Sequence, residues 1–215
     1  MKYLYYMEKN DMSTRPNILD TLALMEQFKD YASPRAHLSY LVKTGKLVKV
    51  RRGLYLAKNH KDVSPVTLAN RIYGPSYVSF EYALAEYGLI PERVSVITSA
   101  SFGKNKNKSF ETPVGMFTYQ RTHPAVYPYG ILWRQKNGMP ALIASKEKAL
   151  CDKLATLRGV RSLQRFATLL LEDLRVDSNQ LSELNREDIA FLAPLYPQQN
   201  VRLLRDWLNR EFTNA

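Results

Sequence analysis

The sequence predicts an α+β protein in two parts: a winged helix-turn-helix over residues 1–61, then a domain over 64–215 in which a mixed sheet is flanked by helices. Three observations carry this expectation. A series of helical patterns ends in a basic hairpin, strand and turn signals then cluster between Ser76 and Ala144, and helical periodicity takes over from Ser145. At 215 residues and 45% hydrophobic, the chain has enough apolar material for two cores.

Tyr3 to Lys9 reads as a short first helix. "RPNILDTLALMEQF" reads as a second, with Pro16 in its first turn and Ile18, Leu19, Leu22, Met25 and Phe28 at helical spacing. After a break at "KDYA", the third helix, "SPRAHLSYLVKTG", is marked at both ends. Ser33 suits the N-cap, Pro34 the first helical position, and Gly45 the left-handed position just past the end. Leu38, Leu41 and Val42 share its inward face, which leaves Arg35, His37, Ser39, Tyr40 and Lys43 to point elsewhere. "GKLVKVRRGLYL" follows, with four basic residues among six apolar ones. "KLVKV" and "LYLAK" alternate as paired strands around Arg51, Arg52 and Gly53, a hairpin with a basic tip. Helix, helix, polar-faced helix, hairpin is the order of a winged helix-turn-helix, whose third helix enters the major groove while the wing lies on the adjacent backbone.

"NHKDVSP" reads as a linker. Beyond it, Ser64 and Pro65 open a helix through "VTLANRIYG", "SYVS" is a short strand, Ser79 opens "FEYALAEYG" up to Gly88, and "RVSVITSA" is a β-branched strand. Two hairpins follow, turning at Pro113 to Gly115 and at Asn137-Gly138. The remainder is helical: "SKEKALCDKLATLRG", "SLQRFATLLLEDL", a helix from about Asn185, and "NVRLLRDWLNREF" with Asn200 as its cap.

Charge is distributed unevenly. The net charge is +11 and the isoelectric point about 9.7, which favours a polyanionic partner. Residues 1 to 61 hold 12 Lys and Arg against 5 Asp and Glu, and Ser33 to Lys61 hold eight basic residues and no acid. An ordinary solvated face mixes both signs, so a one-signed stretch reads as an electrostatic footprint for nucleic acid.

Catalytic signatures are sparse, and neither a metal nor a cofactor is implied. His37, His60 and His123 are isolated, without zinc spacing or a triad. Cys151, the single cysteine, has no second thiol or nearby histidine. "SFGKNKNKSF" lacks the spacing of a phosphate-wrapping G-x-x-x-x-G-K-S/T loop and reads as a mobile basic loop, with an anion or partner contact as the alternative. Glu147 and Asp152 stand five apart, off a common helix face, and Lys148 and Lys153 suffice to explain them; Glu81, Glu86 and Glu92 read as surface charges. No apolar run approaches the roughly 20 residues of a membrane span, and the expected compartment is the cytoplasm.

"LVKTGKLVKVRRGLYL", then "YVSFEYALAEYGLIPERVSVITSAS", "FETPVGMFTY" and "IASKEKALCDKL", in that order, resemble the AbiEi family of antitoxins and their transcriptional-regulator relatives. The resemblance spans residue 34 to about 155; the last 60 residues match only as generic helices. It implies an N-terminal winged helix that binds the promoter of its own operon and a C-terminal domain that opposes a nucleotidyltransferase-like toxin, directly or only functionally. The Gly-Ser and Asp-x-Asp signature of the toxin is absent, so the chain reads as the antitoxin and as no enzyme. The promoter contacts carry over to the winged helix alone. Ser33, Arg35, His37, Ser39, Tyr40 and Lys43 would face the groove, with Arg35 best placed for a base edge, and Lys46, Lys49, Arg51 and Arg52 would meet phosphates. Two alternatives stay open: a solitary DNA-binding regulator whose second domain senses a ligand or dimerises, and an enzyme that modifies the toxin or its target.

Overall fold

The computed structural model describes residues 18–58, 63–136 and 138–212. The expected helix at Tyr3–Lys9, Pro16, His60 and Asn137 lie outside the described residues. The chain divides into two compact units, Met1–Val63 and Ser64–Ala215.

In the first unit, β1 (Ile18–Asp20) leads directly into α1 (Thr21–Gln27), followed by α2 (Pro34–Lys43), β2 (Leu47–Arg51) and β3 (Leu54–Ala57). The strands form one antiparallel sheet in the order β1-β3-β2. The expected second helix is therefore corrected at its start. Ile18 and Leu19 are strand residues, paired with Leu56 and Tyr55, because Asp20 caps the helix with its carboxylate accepting from the Ala23 N–H at 2.8 Å. That cap rotates the buried stripe to Leu24 and Phe28 and leaves Leu22, expected inside, 83% exposed. Leu24 and Phe28 pack with Leu38 and Leu41 of α2 and with Leu47 and Tyr55 of the sheet.

Helix α2 ends as its sequence dictates. Gly45 takes φ +68°, its N–H donates to the Val42 carbonyl and the Lys46 N–H to that of Leu41, which satisfies carbonyls that the helix end would otherwise leave open. At the other end Pro34 occupies the first turn, but the Ser33 hydroxyl makes no capping bond.

The second unit is built on a mixed six-stranded sheet, β6-β7-β5-β4-β9-β8. Its strands are β4 (Ser76–Val78), β5 (Ile97–Ser101), β6 (Lys108–Thr112), β7 (Gly115–Arg121), β8 (Ile131–Lys136) and β9 (Met139–Ala144). β6–β7 and β8–β9 are the two expected hairpins, with Thr112 opposite Gly115 and Lys136 opposite Met139. β4–β9 and β5–β7 run parallel. Helix α3 (Pro65–Ile72) precedes β4 and α4 (Phe80–Glu86) follows it. The helical layer comprises α5 (Lys146–Thr156), α6 (Leu163–Thr168) running into a π-helical turn, α7 (Ser178–Ser182), α8 (Arg186–Leu192) and α9 (Gln199–Phe212). Two expectations are corrected here. Residues 93–96 stay irregular, so the strand begins only at Ile97. Asn200 lies inside α9 and is buried, its amide donating to the Leu154 and Leu157 carbonyls at the end of α5. Among the described residues no helix is long and apolar enough to cross a membrane.

The shifted stripe of α1 orders two truncations. Phe28→Ala should lose about 3–5 kcal/mol through transfer and cavity terms, whereas Leu22→Ala should change stability by under about 0.5 kcal/mol. Urea unfolding followed by far-UV circular dichroism tests this, and equal losses would restore Leu22 to the core.

Candidate functional site

At about 100° per residue, Arg35, Ser39 and Lys43 fall in one row along α2, and Tyr40 lies beside them. All four are exposed, Tyr40 at 52%. Ser33 is exposed just ahead of the row. The Ser39 hydroxyl donates to the Arg35 carbonyl at 3.0 Å, which leaves its lone pairs outward.

His37 departs from that row. It is half-buried at the edge of the core, its ring stacked on Tyr31 at 4.0 Å, edge-on to Phe28 at 4.7 Å and 6.3 Å from Tyr40. Its Nε2 is enclosed without a hydrogen-bond partner among the described residues. Burial first, and the Lys46 ammonium second, lower its pKa from the usual 6.5, so the neutral ring is the favoured form. The structure thus joins His37 to an aromatic stack that backs the exposed row.

In the hairpin, Lys46, Lys49 and Arg52 are exposed, while Leu47, Val50, Leu54 and Leu56 are buried and Val48 is half-buried. A bulge between Lys49 and Arg51 resets the register, Lys49 facing Tyr55 and Arg51 facing Leu54. Arg51, expected fully outside, is half-buried. One of its terminal nitrogens donates to the Arg52 carbonyl at 2.8 Å, and its Nε is enclosed without a partner among the described residues. Gly53 turns the chain at φ +86°, and its carbonyl accepts from the Thr21 N–H at 3.2 Å, tying the hairpin tip to the start of α1.

The second unit holds a different kind of site, which the sequence reading passed over. Lys148 and Asp152, one helical turn apart on α5, form an ion pair at 2.9 Å with both side chains buried. The Asp152 carboxylate takes four donors: Lys148 Nζ and the Tyr196 hydroxyl (2.6 Å) on one oxygen, the Tyr77 (3.0 Å) and Ser79 (2.7 Å) hydroxyls on the other. Lys148 Nζ also donates to Tyr196 at 2.6 Å and lies over the Tyr77 and Tyr196 rings. Burial, then the Asp152 charge, pushes both phenols well above the usual range, so both remain donors. "YVSFEYAL" supplies Tyr77 and Ser79, and "SKEKALCDKL" supplies Lys148 and Asp152. Two sequence blocks that carry the family resemblance thus meet in one buried cluster.

Other expected acids have partners. Lys153 pairs with Glu81, Arg175 with Glu92, and Glu147 is buried with its carboxylate accepting from the Asn185 N–H at 3.0 Å. Cys151 is buried and burial pushes its thiol up, which keeps it protonated. Among the described residues no group of His, Cys, Asp and Glu could hold a metal ion.

No family model matches the sequence, and no curated protein does. The fold is similar to that in the crystal structure of the RV2827C protein from Mycobacterium tuberculosis, at TM-score 0.63 and 12% identity, covering 97% of this chain and 78% of that one. At that identity the likeness is one of fold.

Two outcomes follow from this geometry. Asp152→Ala should cost about 3–5 kcal/mol by stranding the Lys148 ammonium, and Asp152→Leu with Lys148→Met should recover much of it; a double variant no more stable than the single one would place the loss in packing. The His37 pKa is lowered on folding, so the unfolded state binds the proton more readily. Stability of the first unit should be full above pH 6.5 and fall as the pH drops below it. His37→Phe should flatten that slope in urea titrations; an unchanged slope would assign the dependence elsewhere.

Proposed function

We propose that the first unit is a winged helix-turn-helix that binds double-stranded promoter DNA, with α2 in the major groove and the β2–β3 hairpin on the flanking backbone. The observation that carries this reading is the coincidence of an acid-free stretch with a continuous exposed surface. Arg35, Ser39, Tyr40 and Lys43 line one helix face, and Lys46, Lys49 and Arg52 continue onto the next element. The strand order β1-β3-β2 with two helices between β1 and β2 suits that docking geometry. Cations gathered without acids repel one another, and counterion release on a phosphate backbone turns that cost into affinity.

Roles divide by position. Arg35, near the α2 N-terminus, would reach a base edge, and Ser33, Ser39, Tyr40 and Lys43 would flank it. Lys46, Lys49, Arg51 and Arg52 would position the protein on phosphates without reading sequence. His37 then acts behind the face, holding Tyr40 and Tyr31 in place.

On the family resemblance, the whole protein acts as the cytoplasmic antitoxin of a toxin-antitoxin pair. It represses its own operon through the first unit and counteracts a nucleotidyltransferase-like toxin through the second, by contact or through the toxin's effect alone. Co-expression with the adjacent reading frame tests this part: growth rescue is expected, and toxicity unrelieved by the full chain would leave a DNA-binding regulator.

For DNA binding, four to six neutralised phosphates give a slope of log K against log salt of about −4 to −5. Arg51→Ala with Arg52→Ala should weaken all duplexes alike and flatten the slope, while Arg35→Ala should erode preference for the promoter over a scrambled duplex. Fluorescence anisotropy across a salt series reads both, and an unchanged slope in the double variant would refute the wing assignment.

A further inference from the structure

A small cleft opens in the second unit where β7 ends and the last helices begin. Phe80, Arg121, His123, Asp152, Tyr196 and Gln198 are among the residues lining it, and its volume is about 80 Å³. That space admits a group the size of a few water molecules, enough for a phosphoryl group and too little for a nucleobase.

Asp152 is the single acid in the lining, and its carboxylate is already satisfied by four donors and balanced by Lys148 Nζ at 2.9 Å. The floor therefore offers no net negative charge, and the rim decides. Arg121 and His123 are both exposed there, and the Arg121 guanidinium makes no ion pair among the described residues. The Arg121 N–H donates to Asn107 Oδ1 at 3.0 Å, which fixes the end of β7 against the residue ahead of β6. Lys106 and Lys108, on either side of Asn107, are exposed and likewise without an ion pair among the described residues. From Phe102 to His123 there are four basic residues and one acid, Glu111. Glu111 sits opposite Met116, near the turn of the hairpin and away from Arg121.

The cleft wall is also strained. Phe80 adopts φ +56°, a left-handed conformation that costs a bulky residue of order 1–3 kcal/mol and recurs at ligand sites. Its neighbour Ser79 is held by the Thr98 carbonyl and hydroxyl, at 3.0 and 2.6 Å.

We propose that this cleft seats a phosphoryl group, gripped by Arg121 and His123, so that the second unit binds a nucleotide or the phosphates of a nucleic-acid strand. Neutral floor, cationic rim and the restricted volume together select one tetrahedral anion at the cleft and leave the rest of the ligand on the surface.

Calorimetric titration of the full chain tests this with inorganic phosphate, a nucleoside 5′-triphosphate and a 5′-phosphorylated single-stranded tetranucleotide. Inorganic phosphate should bind, and Arg121→Ala, an exposed change that spares the fold, should weaken it about tenfold or more. Tighter binding of the triphosphate than of the tetranucleotide would identify a nucleotide seat, and the reverse a strand seat; either supports the assignment. No binding of inorganic phosphate, affinity indifferent to Arg121→Ala, or a polyglutamate peptide binding as tightly as the tetranucleotide would overturn it. Loss of phosphate binding in Arg51→Ala with Arg52→Ala but not in Arg121→Ala would overturn it too, by moving the anion to the first unit.

Discussion

The second unit depends on one carboxylate. Asp152 is a buried negative charge, and burial of such a group is costly unless its lone pairs are filled and its charge matched. Four donors from β4, its following residue, α5 and the chain ahead of α9 meet that demand, which fixes where each segment can lie. The constraint spreads outward from Lys148. Its stem passes so close to Gly130 that a Cβ there would stand 2.8 Å from Lys148 Cβ, and Gly130 also takes φ +67°. The Gly130 carbonyl then accepts from the Ser145 N–H that leads into α5. A polar cluster of this kind contributes geometric definition more than net stability, since apolar side chains could fill the same space.

The two units handle charge in opposite ways. In the second, Lys146, Lys148, Lys153, Arg165, Arg175 and Arg205 each have an acid within reach. In the first, the ion pair Lys29–Glu26 lies at the end of α1, and no acid occurs from Ser33 to Lys61. Self-repulsion is tolerated there because the residues concerned are mostly exposed and screened by salt, whereas the interior of the same unit is apolar and aromatic.

Local signals were legible wherever a single turn of backbone decides the outcome. Gly45 in its left-handed position, Pro34 and Pro65 in first turns, the helix start near Asn185 and the two hairpins all act through neighbours within a few residues. Errors arose where a distant partner intervenes. Ser79 stands at the N-cap of α4 as expected, yet its hydroxyl is claimed by Asp152, 73 positions along the chain. Asn200 looks like another, yet its amide serves the end of α5. Asp20 is the local exception: it stands inside an apolar stripe that reads as continuous, and its capping bond to Ala23 shifts the helix start and the buried face together. Lys148 and Asp152 have the spacing of an ordinary surface pair on a helix; nothing local distinguishes a pair that Tyr77 and Tyr196 will enclose. The acid-free run from Ser33 to Lys61 was readable because it is a property of composition, while the half-burial of His37 and Arg51 follows from packing with Phe28 and Tyr31 and from the bulged strand.

The bond from the Thr21 N–H to the Gly53 carbonyl has a mechanical side. Together with the β1–β3 pairing it clamps the hairpin tip to the helix that packs under α2, so tip and helix share one frame in the free protein. A partner meeting this surface finds its conformational entropy already spent. On the proposed DNA-binding reading, any mismatch in curvature would have to be taken up by the duplex, so that selection among binding sites would include how readily each one bends.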